Sequence, residues 1–438
     1  MNENRSLHPV SYAAAALLFM VAPAALAQGQ LWIVDDDAGP GAQFTTIQAA
    51  IDAANDGDSI LIREGIYSGF TIAGKSLELM GAGSASIEPS SVINLSVHQW
   101  VSLYQLNFIQ LNQHLIGPTL RFDSCSGRVW MEKTVVRAGS NFNGANTTGM
   151  RISACQAVDL LDCLVTGAFG KDGMLGSQST GDGSVALQIE FSRLFAYNTT
   201  FLGGSGGSGL PFPTSTTEPT ETHRGGDGAP GLTAKAAELY LEQCFVYGGS
   251  GGQGSLGGLG VPCGSGGDAA HALVLDSGPG WMRGSQLQQG AAGSPGLASS
   301  LLCSHGAAPS GPISGPVPNE LPGPVRRLEF SGLAQEGQGV PLVFRGLPGD
   351  FAFLLFAPAP AGEFLPAYQG ARLVSYPGLT VVPTGFLDAS GSLQVNLTMP
   401  QLPAGLLANS AFLQGAFYAQ DQLWLGSGIH LHLLDSSL

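Results

Sequence analysis

Apolar and polar residues alternate in short runs along most of this chain, and the runs come back as phrases. "LFAYNTTFLGGSG" from Leu194 and "LYLEQCFVYGGSG" from Leu239 share apolar first, third and eighth places, a polar fifth place and a GGSG ending. Looser copies begin at Val101, Val129, Val158 and Trp281, and successive starts are 28, 29, 36, 45 and 42 residues apart. Alternation over runs rich in Val, Leu, Phe and Thr that break at Gly is strand chemistry rather than helix chemistry. A period a little under thirty that later swells marks a repeat architecture. Short strands at that period predict a solenoid whose coils lie about 4.8 Å apart, so that like residues recur because they stack on like residues.

The swelling has one address. Extra residues follow the Gly-rich end of a phrase and precede the next apolar run, as in "KDGMLGSQSTGDG", "GSGLPFPTSTTEPTETHRGGDGAPG" and "GQGSLGGLGVPCGSGGD". Rich in Gly, Ser, Thr and Pro, they have no apolar rhythm and are expected to project as loops from one face of the stack. At the other end, "FTTIQAAIDAANDGD" spaces Ile47, Ala50, Ile51 and Ala54 as one apolar stripe of a short helix, with Thr45 as N-cap and Asn55 to Gly57 as stop. Such a helix covers the open edge of a β-stack.

Past the last phrase the pattern changes. Residues 304–324, "SHGAAPSGPISGPVPNELPGP", are rich in Pro and Gly and are expected to form a linker. Residues 325–438 resume strand alternation between Gly, Asp and Pro turns, which predicts a small β-sandwich. Ahead of residue 28, "AAAALLFMVAPAALA" with Ala25-Leu26-Ala27 reads as a signal peptide over residues 1–27. The solenoid is then residues 28–303 of an exported protein, secreted or held at the cell surface, with no membrane insertion after cleavage.

Export changes the meaning of the six cysteines, because disulfides persist in oxidising compartments. Cys125 and Cys155 hold the same place in adjacent repeats and are expected to bond, and Cys263 and Cys303 form a second candidate pair. Cys163 and Cys244 both take the sixth place of the phrase and are expected to be inert core residues.

The stretch from Phe44 to Gly83, "FTTIQAAIDAANDGDSILIREGIYSGFTIAGKSLELMGAG", closely resembles the first coils of right-handed parallel β-helix proteins of the pectin-lyase-like superfamily. "YNTTF" and "LDCLV" are similar to its turn-and-strand units, with Asn198 or Asp162 at the turn, and the resemblance runs from about Leu31 to Gly296. Residues 325–438 loosely resemble a C-terminal sandwich module of bacterial secreted proteins. Galacturonase-like catalysis in the superfamily implies Gly-His-Gly and Arg-x-Lys motifs, and neither occurs in this sequence. Pectate-lyase-like catalysis implies an Arg with several Asp or Glu residues holding calcium, and no Asp-rich set falls at matching places of neighbouring repeats.

Composition narrows the function further. With 44% hydrophobic and 11% charged residues and 64 glycines, the chain has a core to bury and an uncharged polar surface. A net charge of −15 argues against nucleic acid and anionic membranes as partners. The expectation is a structural or binding protein without a cofactor, whose partner is a polysaccharide or a cell-surface component. The alternative is a carbohydrate-active enzyme, a polysaccharide lyase or glycoside hydrolase, with divergent catalytic residues. Its main acids would be Asp123, Glu132, Asp159, Asp162 and Glu190, and its bases Arg128, Arg137 and Arg151, although no residue is assigned a catalytic, cofactor or metal role. Asp35 to Asp37 and the Asp-Gly steps at Asp172, Asp182 and Asp227, with Asp268, are read as turns rather than calcium loops. His430 and His432 face one side of a strand but lack a third ligand. Asn94, Asn146, Asn198 and Asn396 fit the glycosylation pattern.

Overall fold

A computed structural model of the chain describes residues 29–111, 117–139, 147–173, 180–209, 224–257, 263–297, 303–330 and 333–438. The expected signal peptide lies outside them. Residues Gln30–Val325 and Pro360–Arg372 form one compact unit, and residues Arg326–Ala359 with Leu373–Leu438 belong to a second.

The first unit is a parallel β-helix. Each full coil contributes one strand to each of three parallel sheets, as in Met150–Ser153, Ala157–Leu161 and Leu164–Thr166. We call the sheet of Ala157–Leu161 the first, with ten strands, that of Leu164–Thr166 the second and that of Met150–Ser153 the third, with eight strands each. Register is in step from coil to coil: Val101 pairs with Val129, Val129 with Val158, Val158 with Leu194 and Leu194 with Leu239. These residues point inward, and with Phe108, Phe122, Phe201 and Leu232 they build a single core. The last phrase is displaced by one residue from the sequence reading, because Leu239 pairs with Gly280 rather than Trp281. With a side-chain period of two, that slip turns Trp281 from the core to the outer face.

Two corners of each coil are tight, and each is turned by one residue in the left-handed region. At the corner from the third sheet to the first, the column runs Gly74, Asn94, Ser124, Ala154, Phe191 and Ala236. At the corner from the first to the second, it runs Gln105, Lys133, Asp162, Asn198, Gln243 and Gly284. The helix Ile47–Ala53 buries Ile47, Ala50 and Ile51 in the end of the solenoid core. Its N-cap is Thr46, whose hydroxyl accepts from the Ala49 amide, one residue later than expected.

The third corner carries the insertions, but their described parts do not project as loops. Segments 167–173, 203–209, 248–254 and 290–297 stack as one layer, and 180–184, 225–231, 263–270 and 303–309 as a second. Their hydrogen bonds repeat every three residues. Gly203, Gly206 and Gly209 donate to Tyr247, Ser250 and Gln253 in the same layer, whereas Gly204 and Gly207 donate to Ser184 and Gly181 in the other. Ser205 and Ser208 are left to face outward. A three-residue period without internal hydrogen bonds belongs to the polyproline-II helix. Close packing of such helices excludes side chains: a Cβ on Gly204 would lie 1.8 Å from the Ala168 carbonyl oxygen. Lateral pairing thus satisfies backbone groups that no apolar rhythm announced.

Residues 304–324 are likewise not a free linker, since Ile313–Ser314 extends the third sheet and Asn319–Glu320 the first. In the second unit, a three-stranded antiparallel sheet (Arg327–Phe330, Gly339–Arg345, Ser392–Thr398) and a five-stranded mixed sheet share one core that includes Phe344, Val395, Leu354 and Phe417. Arg326 is buried there, paired with Asp350 at 2.7 Å and lying over the Trp424 ring.

Candidate functional site

Strand alternation sends every second side chain of the first sheet outward. Ser102, Trp130, Asp159, Phe195, Tyr240 and Trp281 fall in one column, one per coil, with Tyr104, Glu132, Leu161, Tyr197, Glu242 and Arg283 in the next. Outward does not mean exposed here: apart from the half-buried Trp281, all are buried. Part of the cover is the segment Pro360–Arg372, two short strands (Pro360–Leu365 and the start of Gly370–Val374) joined through a 3-10 turn. Phe364 stacks on Trp281 with ring centres 4.3 Å apart and touches Tyr240 at 5.5 Å. Arg128 Nη1 donates to the Gly362 carbonyl at 2.9 Å, and Arg283 Nη2 donates to the Gln369 carbonyl.

The acids of this face differ in their surroundings. Glu242 accepts from the Tyr240 hydroxyl and lies 3.4 Å from Arg283. Glu132 accepts from the Trp130 indole at 3.3 Å and faces Lys133 at 3.7 Å. Asp159 is fully buried, and neither of its oxygens has a hydrogen-bond partner among the described residues. Desolvation drives its pKa up to about 8, against the opposing pull of the Arg128 charge. Burial also lifts the Tyr197 hydroxyl well above its usual range.

The other candidates from the sequence are dispersed. Asp162 and Asp159 are parted by the left-handed turn at Asp162, which sits at an exposed corner and accepts from the Asn198 amide at 2.6 Å. Asp123 pairs with Arg121, and Glu190 with Arg151 at 3.4 Å, on the outer face of the third sheet. Arg137 is exposed on the second sheet. That third-sheet face carries a straight column of polar groups, Thr71, Ser91, Arg121, Arg151, Gln188 and Thr233, in register from coil to coil and open or half-open to solvent.

The Asp-Gly steps act within the glycine layers. Asp182 accepts the Asp227 amide, Asp227 that of Asp268, and Asp268 that of Ala307, at 2.7 to 2.8 Å, while Asp172 accepts from Ser208. Each carboxylate ties one coil to the next. Asp35 pairs with Arg63, whose guanidinium holds the Asp35 pKa down, and Asp36 accepts the Ile66 amide. His430 is buried against the Phe412 ring, and desolvation depresses its pKa. Cys263 and Cys303 are bonded, with Cα atoms 5.9 Å apart. Cys125 and Cys155 stack in adjacent coils but are both buried thiols, which differs from the expected disulfide. The two thiols instead share a hydrogen bond, which pulls the Cys125 pKa down and pushes that of Cys155 up. Cys163 and Cys244 are buried in the core. Asn94 and Asn198 sit at the tight corners, Asn396 lies on a strand, and Asn146 lies outside the described residues.

What the sequence reading missed is the aromatic side of the first sheet, Phe195, Tyr240 and Trp281. Alternation from Leu194 and Leu239 marks the first two as outward, and only the register slip hid the third.

No protein-family model matches the chain, and no curated protein matches it. Among solved structures it is similar to full-length tailspike protein 2 from Escherichia coli O157:H7 bacteriophage CAB120, at 9% identity and a TM-score of 0.30, over 90% of this chain and 66% of that one. The enzymatically active domain of bacteriophage CBA120 tailspike protein 2 is similar at 8% identity and a TM-score of 0.21, over 90% of this chain and 74% of that one. Dettilon tailspike protein follows at 10% identity and a TM-score of 0.15, over 79% of this chain and 88% of that one. The chain spans about two thirds of the length of the full-length tailspike, and at these scores the likeness carries no argument about activity.

Proposed function

We propose that this is an exported, non-catalytic β-helix protein that binds a linear polysaccharide along its flank. The observation that carries this reading is the polar column of the third sheet, Thr71 to Thr233. It sets hydrogen-bonding groups in a line at about 4.8 Å intervals, as an extended polymer of repeating hydroxyls would need. The acids of the first sheet support a structural role instead, because Arg128 and Arg283 beside them donate to carbonyls of the chain's own segment Pro360–Arg372.

One observation favours the enzyme alternative. With its pKa near 8, Asp159 keeps a proton at neutral pH, as the general acid of a glycosidase must. The two readings part on one experiment: affinity electrophoresis of the full chain through pectin, alginate, xyloglucan and mannan, with chromatography of the polymers after incubation. We expect retardation by at least one polymer and no shortening of any. Release of oligosaccharides that disappears in Asp159→Asn would sink the binding-only reading.

A further inference from the structure

Phe191 is out of keeping with its column. Its place at the corner between the third and first sheets demands a left-handed backbone, and the other coils meet that demand with Gly74, Asn94, Ser124, Ala154 and Ala236. A bulky side chain is the costliest choice at such a φ. Nor does burial compensate, since Phe191 is 63% exposed. An outlier that gives the fold no return is a pointer to function.

Its surroundings say which function. Ala154 and Ala236, directly before and after Phe191 in the column, leave the ring standing clear of its neighbours. Beside it opens a recess of about 580 Å³ that crosses four successive coils, from Gln156 through Phe191 and Arg193 and Glu238 to Ser277. Across three coil steps the recess extends about 14 Å along the solenoid axis. Arg193 Nε lies 3.1 Å from Glu238 Oε2, with both side chains partly exposed, so the wall offers donors and acceptors side by side. An aromatic platform next to a planar donor-acceptor pair matches a sugar ring, whose C–H face stacks on the aromatic while adjacent hydroxyls bond to the pair.

Resting on the polysaccharide reading above, we infer that the Phe191 recess is a glycan subsite, in which Phe191 stacks a ring and Arg193, Glu238 and Gln156 hold its hydroxyls. The site lies at the edge of the third sheet, continuous with its polar column through Glu190 and Arg151.

The test uses the full chain and the same four polymers. Phe191→Asn places at this corner the residue that another coil already uses at Asn94. We expect its melting temperature to equal or exceed that of the parent, and its affinity for the retarding polymer to fall at least about tenfold. Phe191→Trp should retain binding. A melting temperature several degrees lower in Phe191→Asn would make the ring a packing element and overturn the site. Unchanged retardation of a stable Phe191→Asn would also overturn it, while leaving polysaccharide binding intact. Failure of the parent to be retarded by any of the four polymers removes the reading and the site together.

Discussion

Asp159 shows how much one side chain's surroundings can do. A carboxyl group without a partner in a buried place holds its proton, and its pKa of about 8 stands far above the 3.8 of an exposed aspartate. The folded state therefore binds a proton more tightly than the unfolded chain does. Stability from this group is complete below about pH 4 and is lost as pH rises toward 8, where the folded form also ionises. At 1.36 kcal/mol per unit, the loss is of order 5 kcal/mol. Asp159→Asn keeps the shape and removes the charge. We expect parent and variant to melt together near pH 4, with the variant increasingly the more stable up to pH 8 and a constant gap above. Melting temperatures across pH 4 to 9 check this, and a gap that does not change with pH would show that Asp159 is solvated or paired. Sequence placed Asp159 on a strand among candidate acids, but its isolation was not legible there, because it depends on a covering segment that is remote in the chain.

At the scale of elements, the strands were legible and the glycine layers were not. Alternation at Val129, Val158, Leu194 and Leu239 marks inward positions, and the register confirms each of them. The layers carry a signal of a different period. "GGSGGSG" from Gly203 has two glycines for packing and one outward residue in every three, a pattern invisible to a search for apolar rhythm. Its consequence is that a packed glycine such as Gly207 leaves no room for a side chain. A Cβ on Gly207 would lie 1.9 Å from the Lys171 carbonyl oxygen, whereas one on Gly311 would meet nothing within 4 Å. We expect Gly207→Ala to cost about 3 kcal/mol, as backbone-directed overpacking does, and Gly311→Ala to be neutral within about 0.5 kcal/mol. Thermal melts of the two variants decide the matter, and equal behaviour would mean that the layers are loose loops after all. Cys263–Cys303 adds a covalent tie in the same region, closing a loop of 40 residues that is worth about 4 kcal/mol in the chain-entropy account.

At the scale of the molecule, a compact unit need not be one continuous stretch of chain. Pro360–Arg372 is written inside the C-terminal half, yet it belongs to the compact unit of the β-helix. No phrase of the repeat announces it, since "PAGEFLPAYQGAR" stacks on no copy of itself and instead fits a surface assembled from five coils. Phe364 is its anchor: nearly buried, it joins Trp281 and Tyr240, while Arg128 and Arg283 bind the carbonyls on either side. Truncating a buried aromatic costs about 3 to 5 kcal/mol when the site does not collapse, and one-sided cover over rigid strands leaves little scope for collapse. We expect Phe364→Ala to lose about 3 kcal/mol and to raise the accessibility of Trp281 to an aqueous quencher such as iodide. A variant as stable as the parent, with Trp281 equally protected, would mean that the segment is held by its arginine contacts alone. If the loss occurs and product release from a polysaccharide appears with it, the covered acids are a masked active face. If the loss occurs and the polymers stay whole, Arg128, Glu242 and Arg283 are there to seat the segment, and binding belongs to the open flank.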